Sequence, residues 1–401
     1  MSFAIRSLPK KQKHSDKMLI FTLILLLGLG LVMLFSASYY RADLLFSDSF
    51  YFLRNQALYA LLGILMALAA AVFPLEHLRK CVPPFLLLSF CLMVLTFIPG
   101  IGVEYLGARR QIQFGGYTFQ PTEFAKLALI LYLAHILDRK QENLDDILNN
   151  LLPATIVVMV FISFIYLQND FSSAVLIGFI TLSMFFIAGV KIKYFAALIS
   201  VLLPLGIILL FSREHRVIRV ISFLEPGRDP SGAGYQVLAS LTALRNGSLW
   251  GMGIGKGVQK LGGLPEAQSD FVFAVLGEEL GFIGILGVLA LFVLLAWRGF
   301  SLALRQRNTF FGLLAYGITA LLTVQAGINM AVISGMAPAT GIPMPFFAAG
   351  GSHLLISMIL CGLLVNVSRN TPPTLPSDSI DNSDTERNAG NAGNAGNAGG
   401  E

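Results

Sequence analysis

Long apolar stretches alternate with short polar connections along most of this chain, and each stretch is about the length a helix needs to cross the hydrocarbon core of a bilayer. A helix suits lipid because it satisfies its own backbone donors and acceptors. The pattern predicts ten spans, at 18–38, 52–73, 82–98, 121–137, 151–167, 171–190, 194–211, 271–297, 309–335 and 351–367. The junction at 168–171 is so short that the fifth and sixth spans also read as one bent hairpin. Only one long polar connection interrupts this rhythm, residues 212–270, and function is sought there first.

Composition agrees with the pattern. Hydrophobic residues fill 55% of the 401 positions and charged residues 13%, about half the charged share of a soluble domain. The expected class is therefore an all-α integral membrane protein. Lys and Arg in the short connections set its orientation. Arg6, Lys10, Lys11, Lys13 and Lys17 precede the first span, and alternate connections carry Arg79 with Lys80, Arg139 with Lys140, Lys191 with Lys193, and Arg298 with Arg305 and Arg307. Both termini are expected to be cytoplasmic, with 212–270 as an extracytoplasmic loop between helices 7 and 8. No small-residue cleavage site follows the basic start, so the first helix reads as retained.

Three regions result: a basic N-terminus at 1–17, a membrane domain at 18–367, and a polar tail at 368–401 ending in Asn-Ala-Gly repeats, with too little apolar surface to fold. The net charge of +5 follows mostly from the positive-inside pattern and argues against nucleic acid as a partner. Cys81, Cys91, Cys361 and five scattered histidines show neither disulfide nor metal spacing.

Between the third and fourth spans the chain reads GARRQIQFGGYTFQPTEFAK, 107–126. Arg109 and Arg110 beside glycines suit an anionic headgroup, because guanidinium groups bind phosphate bidentately. Two cations anchoring a helix end among lipid phosphates give the same pattern. Pro121 marks a helix start, with Gln120 or Thr122 near the cap. Glu123 and Lys126 then share a helical face at i, i+3, close enough to pair. Charges within a span tend to face a cavity and each other, so this pair reads as site-shaping or as a structural ion pair.

The long connection carries Gly234-Tyr235-Gln236, the glycine run GMGIGKGVQK at 251–260, and LPEAQSD at 264–270. The run lacks the Lys-Ser/Thr ending and preceding strand of a nucleotide loop. Its glycines would let backbone amides approach a phosphate, or would simply form a tight turn. Asp270, after Pro265 and directly before an apolar span, is placed for the raised proton affinity of a general base, with helix capping as the alternative. Glu278 and Glu279 stand about two turns into the same span, one suited to a cavity and the other to helix packing. Asp170 reads as a turn residue, and Gln325 with Asn329 as a polar pair joining helices. The stretch PATGIPMPFFAAGGSH at 338–353 implies irregular backbone at membrane depth, tolerated only where it lines protein or a wet cavity.

Taken together, these stretches resemble the SEDS family (shape, elongation, division and sporulation), membrane proteins that polymerise peptidoglycan. LPEA, VLGEELG and QPTEFAK look more like its division branch, the FtsW type, than its elongation branch, the RodA type. The resemblance implies an inverting glycosyltransferase that extends glycan strands from lipid II at the outer face of the cytoplasmic (inner) membrane. It further implies a class B penicillin-binding protein and other division-machinery membrane proteins as partners, at the division site. It carries the catalytic role to Asp270 and substrate-binding roles to Arg109, Arg110, Glu123, Lys126, Gln236, Lys260, Glu266 and Ser352. No metal-ligand set is legible, although a divalent cation, Mg2+ or Mn2+, would suit the diphosphate. The chain departs from the family pattern at Gln268 and Ser269, where His-Thr is usual, at Gln111, where Trp is usual, and at 348–353, where Ala-Ala-Gly-Gly-Ser-His replaces Ser-Tyr-Gly-Gly-Ser-Ser.

The chemistry fits those assignments. A sugar hydroxyl loses a proton as it attacks an anomeric carbon, and a diphosphate leaves with negative charge. Asp270 serves as base, Arg109, Arg110 and Lys126 steady the diphosphate, and Glu123 orients Lys126. The polyprenyl tails are expected in a membrane-embedded groove opening at the long loop. Other readings are a lipid II flippase, which an inverted repeat would favour although none is legible, a RodA-type polymerase, and a catalytically weakened scaffold.

Overall fold

The computed structural model describes residues 15–370 except 106, 116, 141–150, 226 and 228–231. Most of the basic N-terminus and nearly all of the polar tail lie outside the described residues, as does the disorder expected of that tail.

Ten helices lie on the ten apolar runs. They are α1 (Lys17–Phe46), α2 (Tyr51–Val72), α4 (Val82–Leu95), α5 (Pro121–Arg139), α6 (Leu152–Leu167), α7 (Phe171–Ile187), α8 (Ile192–Phe211), α11 (Val272–Leu304), α12 (Thr309–Ile333) and α13 (Gly351–Arg369). A short α3 (Leu75–Lys80) links the second to the third. By length and composition α1, α2, α8, α11, α12 and α13 are long and apolar enough to cross a membrane, whereas α4, α6 and α7 are shorter apolar helices. The protein is a multi-pass membrane protein. Asn169, at φ 61°, reverses the chain between α6 and α7, so the short junction is a hairpin of two helices.

One end of the bundle gathers the cations that the charge rule assigns to the cytoplasm. Asp16 accepts from the first amides of α1 and pairs with Arg298 near the end of α11 at 2.9 Å, while its own amide donates to Ser368 Oγ. Arg79 pairs with Asp138, which also accepts from the Phe310 amide. Residues 16 and 368 therefore share an end with 79, 138, 298 and 310, as an even number of crossings requires.

At the opposite end the otherwise helical protein carries a small sheet. Residues 102–119 form a three-stranded antiparallel sheet, β1 (Gly102–Tyr105), β2 (Ala108–Phe114) and β3 (Tyr117–Phe119), in the order β1-β2-β3. The alternation within β2 is only a few residues long and buries Ile112 completely, too weak a period to stand out beside helical runs. Between β1 and β2 the register slips: Val103 faces Gln111 while Glu104 faces Arg109. Arg110 is the extra residue of this bulge, a feature that bends a strand and re-aims a side chain.

The long connection 212–270 carries short helices of its own. It holds α9 (Glu214–Leu224), α10 (Ala233–Gly247) and a 3-10 turn at Gln259–Leu261. Both helices are too short to span a bilayer; α10 buries Val237, Ala239 and Ala243, with Val237 packed against Val332 and Ala339, whereas α9 leaves Ile218, Ile221 and Leu224 exposed. The irregular stretch before α13 is held inside protein, with Ile342, Met344, Phe346 and Phe347 all buried. Gly30 allows α1 to touch it, since a Cβ there would lie 2.3 Å from the Phe346 carbonyl oxygen.

Candidate active site

Asp270 is held by its backbone, not by its carboxylate. Its amide donates to the Glu266 carbonyl, and its carbonyl accepts from Asn329 Nδ2 at 3.0 Å. Asn329 also donates to the Ile342 carbonyl and Gln325 to that of Pro343, so the polar pair of α12 joins the irregular 338–350 segment to the base of α11. The Ala349 amide completes the frame on the Gln268 carbonyl at 2.8 Å. The cap position of α11 is Phe271, with no side-chain cap, so Asp270 is not a helix cap. Among the described residues its carboxylate accepts no hydrogen bond. Burial, chiefly, pushes that carboxyl up to about 6; Arg110 and Arg219 oppose the shift, and Glu266 and Asp170 add to it. Such a carboxylate takes up and releases a proton close to neutral pH, which a general base requires.

The helix beneath this carboxylate was not singled out in the sequence. In α9 the apolar Val217, Val220 and Ile221 alternate with Arg213, Arg216 and Arg219. Arg216 is 5% exposed, with its guanidinium 4.5 Å from the Tyr166 ring and 5.1 Å from that of Phe171, and it donates to the Leu209 carbonyl. Arg219 has Asp270, Arg110, Asp170 and Arg216 as charged neighbours. Asp170 is the N-cap of α7 rather than a plain turn residue, accepting from the Ser173 amide.

The two arginines of β2 separate. Arg109 is exposed and paired with Glu104 at 2.9 Å on the neighbouring strand, whereas Arg110, on the bulge, turns to the Asp270 side. Gln236, in the first turns of α10, is half-buried, next to the Val237 contact with the 338–350 region.

Glu123 and Lys126 pair as their spacing predicts, at 2.7 Å, both about 3% exposed. The third member of the group is His353, whose Nδ1 lies 3.1 Å from the other Glu123 oxygen. The sequence marked it only as a departure from the family pattern, because the partner is on α5, far away in the chain. Ser352, expected at substrate, instead accepts from the Gln120 amide at 3.0 Å and donates to the Thr118 carbonyl, joining α13 to the start of α5. With both hydroxyl roles occupied and the side chain buried, Ser352 acts as a structural tie. Replacing Glu123 by Gln or Lys126 by Met leaves a buried charge unpaired, and each change is expected to destabilise by about 3–5 kcal/mol. The double variant should lose less than the sum of the two, and additive losses in a thermal-unfolding cycle would refute the pairing.

Lys260, also expected at substrate, is bonded within the chain. Its side chain is fully buried, its Nζ is 2.5 Å from Glu279 Oε1 and 2.8 Å from Ser36 Oγ, and Ser36 donates in turn to Glu279 at 2.7 Å. The glycine run therefore brings its amides to carboxylates of this chain. The Gly255 amide donates to Glu279 at 2.9 Å, and the Gln259 amide to Glu278 at 3.1 Å, which also accepts from Asn246 Nδ2. Both glutamates are buried and bonded to groups of this chain. The approach is close enough that α11 breaks at Gly281, φ 67° and ψ −166°, where a Cβ would fall 2.3 Å from the Gly251 nitrogen. Glu266, likewise expected at substrate, pairs with Arg41 at 2.8 Å and accepts from Gln268 Nε2 and Ser269 Oγ, each at 3.1 Å. The group fixes the turn ahead of Asp270, whose first residue, Glu266, has φ 53°.

Two cavities open beside α1. One, of about 150 Å³, includes Tyr40, Arg41, Pro265 and Gln268; the other, of about 470 Å³, is an apolar groove between Leu31, Val32, Phe35, Leu53 and Ile254. Among the described residues no group of three or more His, Cys, Asp or Glu side chains comes together as a metal site.

The family model described as "Cell cycle protein", covering FtsW, RodA and SpoVE, matches residues 16–372. The chain belongs to the FtsW/RodA/SpoVE family. It is 39% identical to a probable peptidoglycan glycosyltransferase FtsW of Geobacter sp. (strain M18) over 88% of this chain and 96% of that one. It is 38% identical to the stage V sporulation protein E of Bacillus subtilis (strain 168), over 90% of this chain and 98% of that one. Among solved structures it is similar to a chain of a peptidoglycan synthase complex that coordinates polymerization and crosslinking, with a TM-score of 0.72 at 27% identity, covering 89% of this chain and 98% of the other. It is also similar to Thermus thermophilus RodA, with a TM-score of 0.63 at 26% identity, over 90% and 98%.

For a member of the FtsW/RodA/SpoVE family, the departures at 268, 269 and 353 raise the question of whether the local network survives. Gln268 and Ser269 both bond Glu266, and His353 bonds Glu123. Each replacement has acquired a polar partner, so the residues around Asp270 and around the Glu123–Lys126 pair remain tied.

Proposed function

We propose that this protein is an FtsW-type peptidoglycan glycosyltransferase that transfers glycan from a polyprenyl diphosphate donor to lipid II at the outer face of the cytoplasmic membrane, with Asp270 as its base. The observation that carries the reading is the Asp270 carboxyl, partly buried, raised to about 6, free of hydrogen bonds among the described residues, and facing the guanidinium groups of Arg110 and Arg219. In the transfer, the acceptor hydroxyl oxygen forms a bond to the donor's anomeric carbon from the face opposite the diphosphate. The carbon–diphosphate bond breaks with its electron pair going to the diphosphate oxygen, and the hydroxyl proton passes to Asp270, which later releases it to water. Arg110 meets the charge that develops on the leaving group. Arg109, exposed and paired with Glu104, is suited to the headgroup at the rim, and Glu123 with Lys126 holds the start of α5 rigid behind the sheet.

The same reading takes ten crossings with both termini in the cytoplasm, which places Asp270 outside. It takes the division site as the location and a class B penicillin-binding protein as partner, supported by the named FtsW relatives and by the likeness to a peptidoglycan synthase complex. The apolar groove along α1 and α2 suits a polyprenyl tail. A flippase has no evident need for a base at the outer face. Purified chain reconstituted with labelled lipid II, with and without the partner, should form glycan polymer; transbilayer movement of lipid II without polymer would favour the flippase.

The raised Asp270 carboxyl also fixes the pH dependence. Polymerisation should fall on a one-proton limb as pH drops through about 6, because the base becomes protonated. Stability should move the opposite way. A carboxyl whose folded value is raised contributes stability that is fully present below the ordinary carboxylate range and lost as pH rises through about 6. A rate profile flat from pH 5 to 7 would count against Asp270 as base.

A further inference from the structure

Three polar atoms of the Asp270 surroundings are buried without a hydrogen-bond partner among the described residues: Arg110 Nε, Arg216 Nε and Arg216 Nη2. Arg216 is the more telling, because its guanidinium is fixed by Tyr166 and Phe171 on one side and by the Leu209 carbonyl on Nη1, while Nε and Nη2 are buried with no hydrogen-bond partner among the described residues. Burying a charged donor unpaired costs more than burying a neutral one. A rigid fork of unsatisfied N–H groups is complementary to an anion with several oxygens.

The charges around it have the matching sign. Arg110, Arg216 and Arg219 stand against Asp170 and Asp270, and Asp170 is engaged as the cap of α7. With Asp270 carrying the proton taken from the acceptor, the excess of positive charge is largest when the leaving group is most negative.

We propose that α9 supplies, with Arg110, a diphosphate subsite in which Arg216 and Arg219 hold the leaving diphosphate of the polyprenyl-linked donor. The inference rests on Asp270 being the base, and it names the donor for a geometric reason. The base touches the hydroxyl that attacks the anomeric carbon, and the leaving diphosphate is bonded to that same carbon. The acceptor's own diphosphate lies at the far end of its disaccharide, two sugar rings away. Arg110 and Arg219, the cations that feel the Asp270 carboxylate, are therefore near the donor's diphosphate, and Arg216 stands next to Arg219. Arg219 is exposed on α9 and free to approach the ligand; Arg216 is locked in place, which lowers the ordering cost of binding.

The test uses the full chain in lipid nanodiscs, with Asp270→Asn as the background so that binding is read without turnover. Undecaprenyl diphosphate and lipid II are titrated separately onto that background and onto the same protein carrying Arg219→Gln or Arg216→Lys. Lysine keeps the charge of Arg216 but not the fork, which guards against a variant that fails to fold, and melting temperature is recorded throughout. Each arginine change should weaken undecaprenyl diphosphate binding about 10- to 100-fold with melting temperature preserved.

In the active protein, Arg219→Gln should also move the acid limb of the rate profile to higher pH, since Arg219 favours the ionised Asp270, a shift that a purely structural role for α9 would not produce. Unchanged affinity for undecaprenyl diphosphate overturns the subsite, and so does a loss confined to lipid II, which would assign the arginines to the acceptor. Failure of the polymerase reading is seen separately, as absence of polymer from the unsubstituted protein while the arginine-dependent affinity persists.

Discussion

Asp270→Asn is expected to lower glycan polymerisation about 10²- to 10⁴-fold, the range that a positioned general base contributes, while expression, melting temperature and lipid II binding stay close to those of the parent. The separation of effects follows from how the residue is held. Its amide and carbonyl make the bonds that fix the 264–270 turn to α12, and asparagine keeps both. Its carboxylate caps nothing and accepts no hydrogen bond among the described residues, so the amide leaves no structural partner unsatisfied. What changes is basicity, together with the negative charge that faces Arg110 and Arg219. Asp170 provides the contrast at the same membrane face: its carboxylate caps α7, and Asp170→Ala should cost about 1 kcal/mol of stability. Substantial polymer from purified Asp270→Asn would remove the residue as base. A drop in melting temperature equal to that of Asp170→Ala would return Asp270 to a structural role.

The contrast between these two aspartates shows how far the sequence could be read. Apolar runs of membrane length locate ten helices, because burial in lipid demands them wherever they occur. The Glu123–Lys126 pair is equally legible, since i, i+3 spacing is a local property of the helix. Partners brought together by tertiary structure are not. Nothing near Ser352 or His353 in the chain announces the β3–α5 junction or Glu123. Arg216 and Arg219 were countable as two of many loop cations, but their position beneath Asp270 depends on α9 folding back against α6 and α7. A period-3.6 reading of Arg213, Arg216 and Arg219 against Val217, Val220 and Ile221 would have exposed that helix. The bulge that parts Arg109 from Arg110 has no counterpart in local pattern, because it is defined only by the strand opposite. The glycine run was open to two readings for the same reason: amides free to approach an anion were legible, but not that Glu278 and Glu279 of this chain would be the anions they meet.

That last exchange gives the second large effect. Lys260→Met is expected to destabilise the protein by about 3–5 kcal/mol, the cost of breaking a buried ion pair by removing one partner. Glu279 would be left with Ser36 and the amides of Gly255 and Gly257 around it but no cation, in a buried place. Glu279→Gln should cost a similar amount, by stranding the Lys260 ammonium against Ser36 and the Tyr39 ring. Combining the two removes both charges, and glutamine retains a carbonyl oxygen for the Ser36 hydroxyl or a glycine amide, so the double variant should recover part of the loss. The glycine run leads directly into the 264–270 turn, so the single variants should also lose activity in step with folded protein, with the Michaelis constant for lipid II unchanged in the fraction that folds. A Lys260→Met protein of full stability with a raised Michaelis constant would restore the lysine to substrate binding. The buried Lys260–Glu279 pair would then not be what anchors the glycine run to α11.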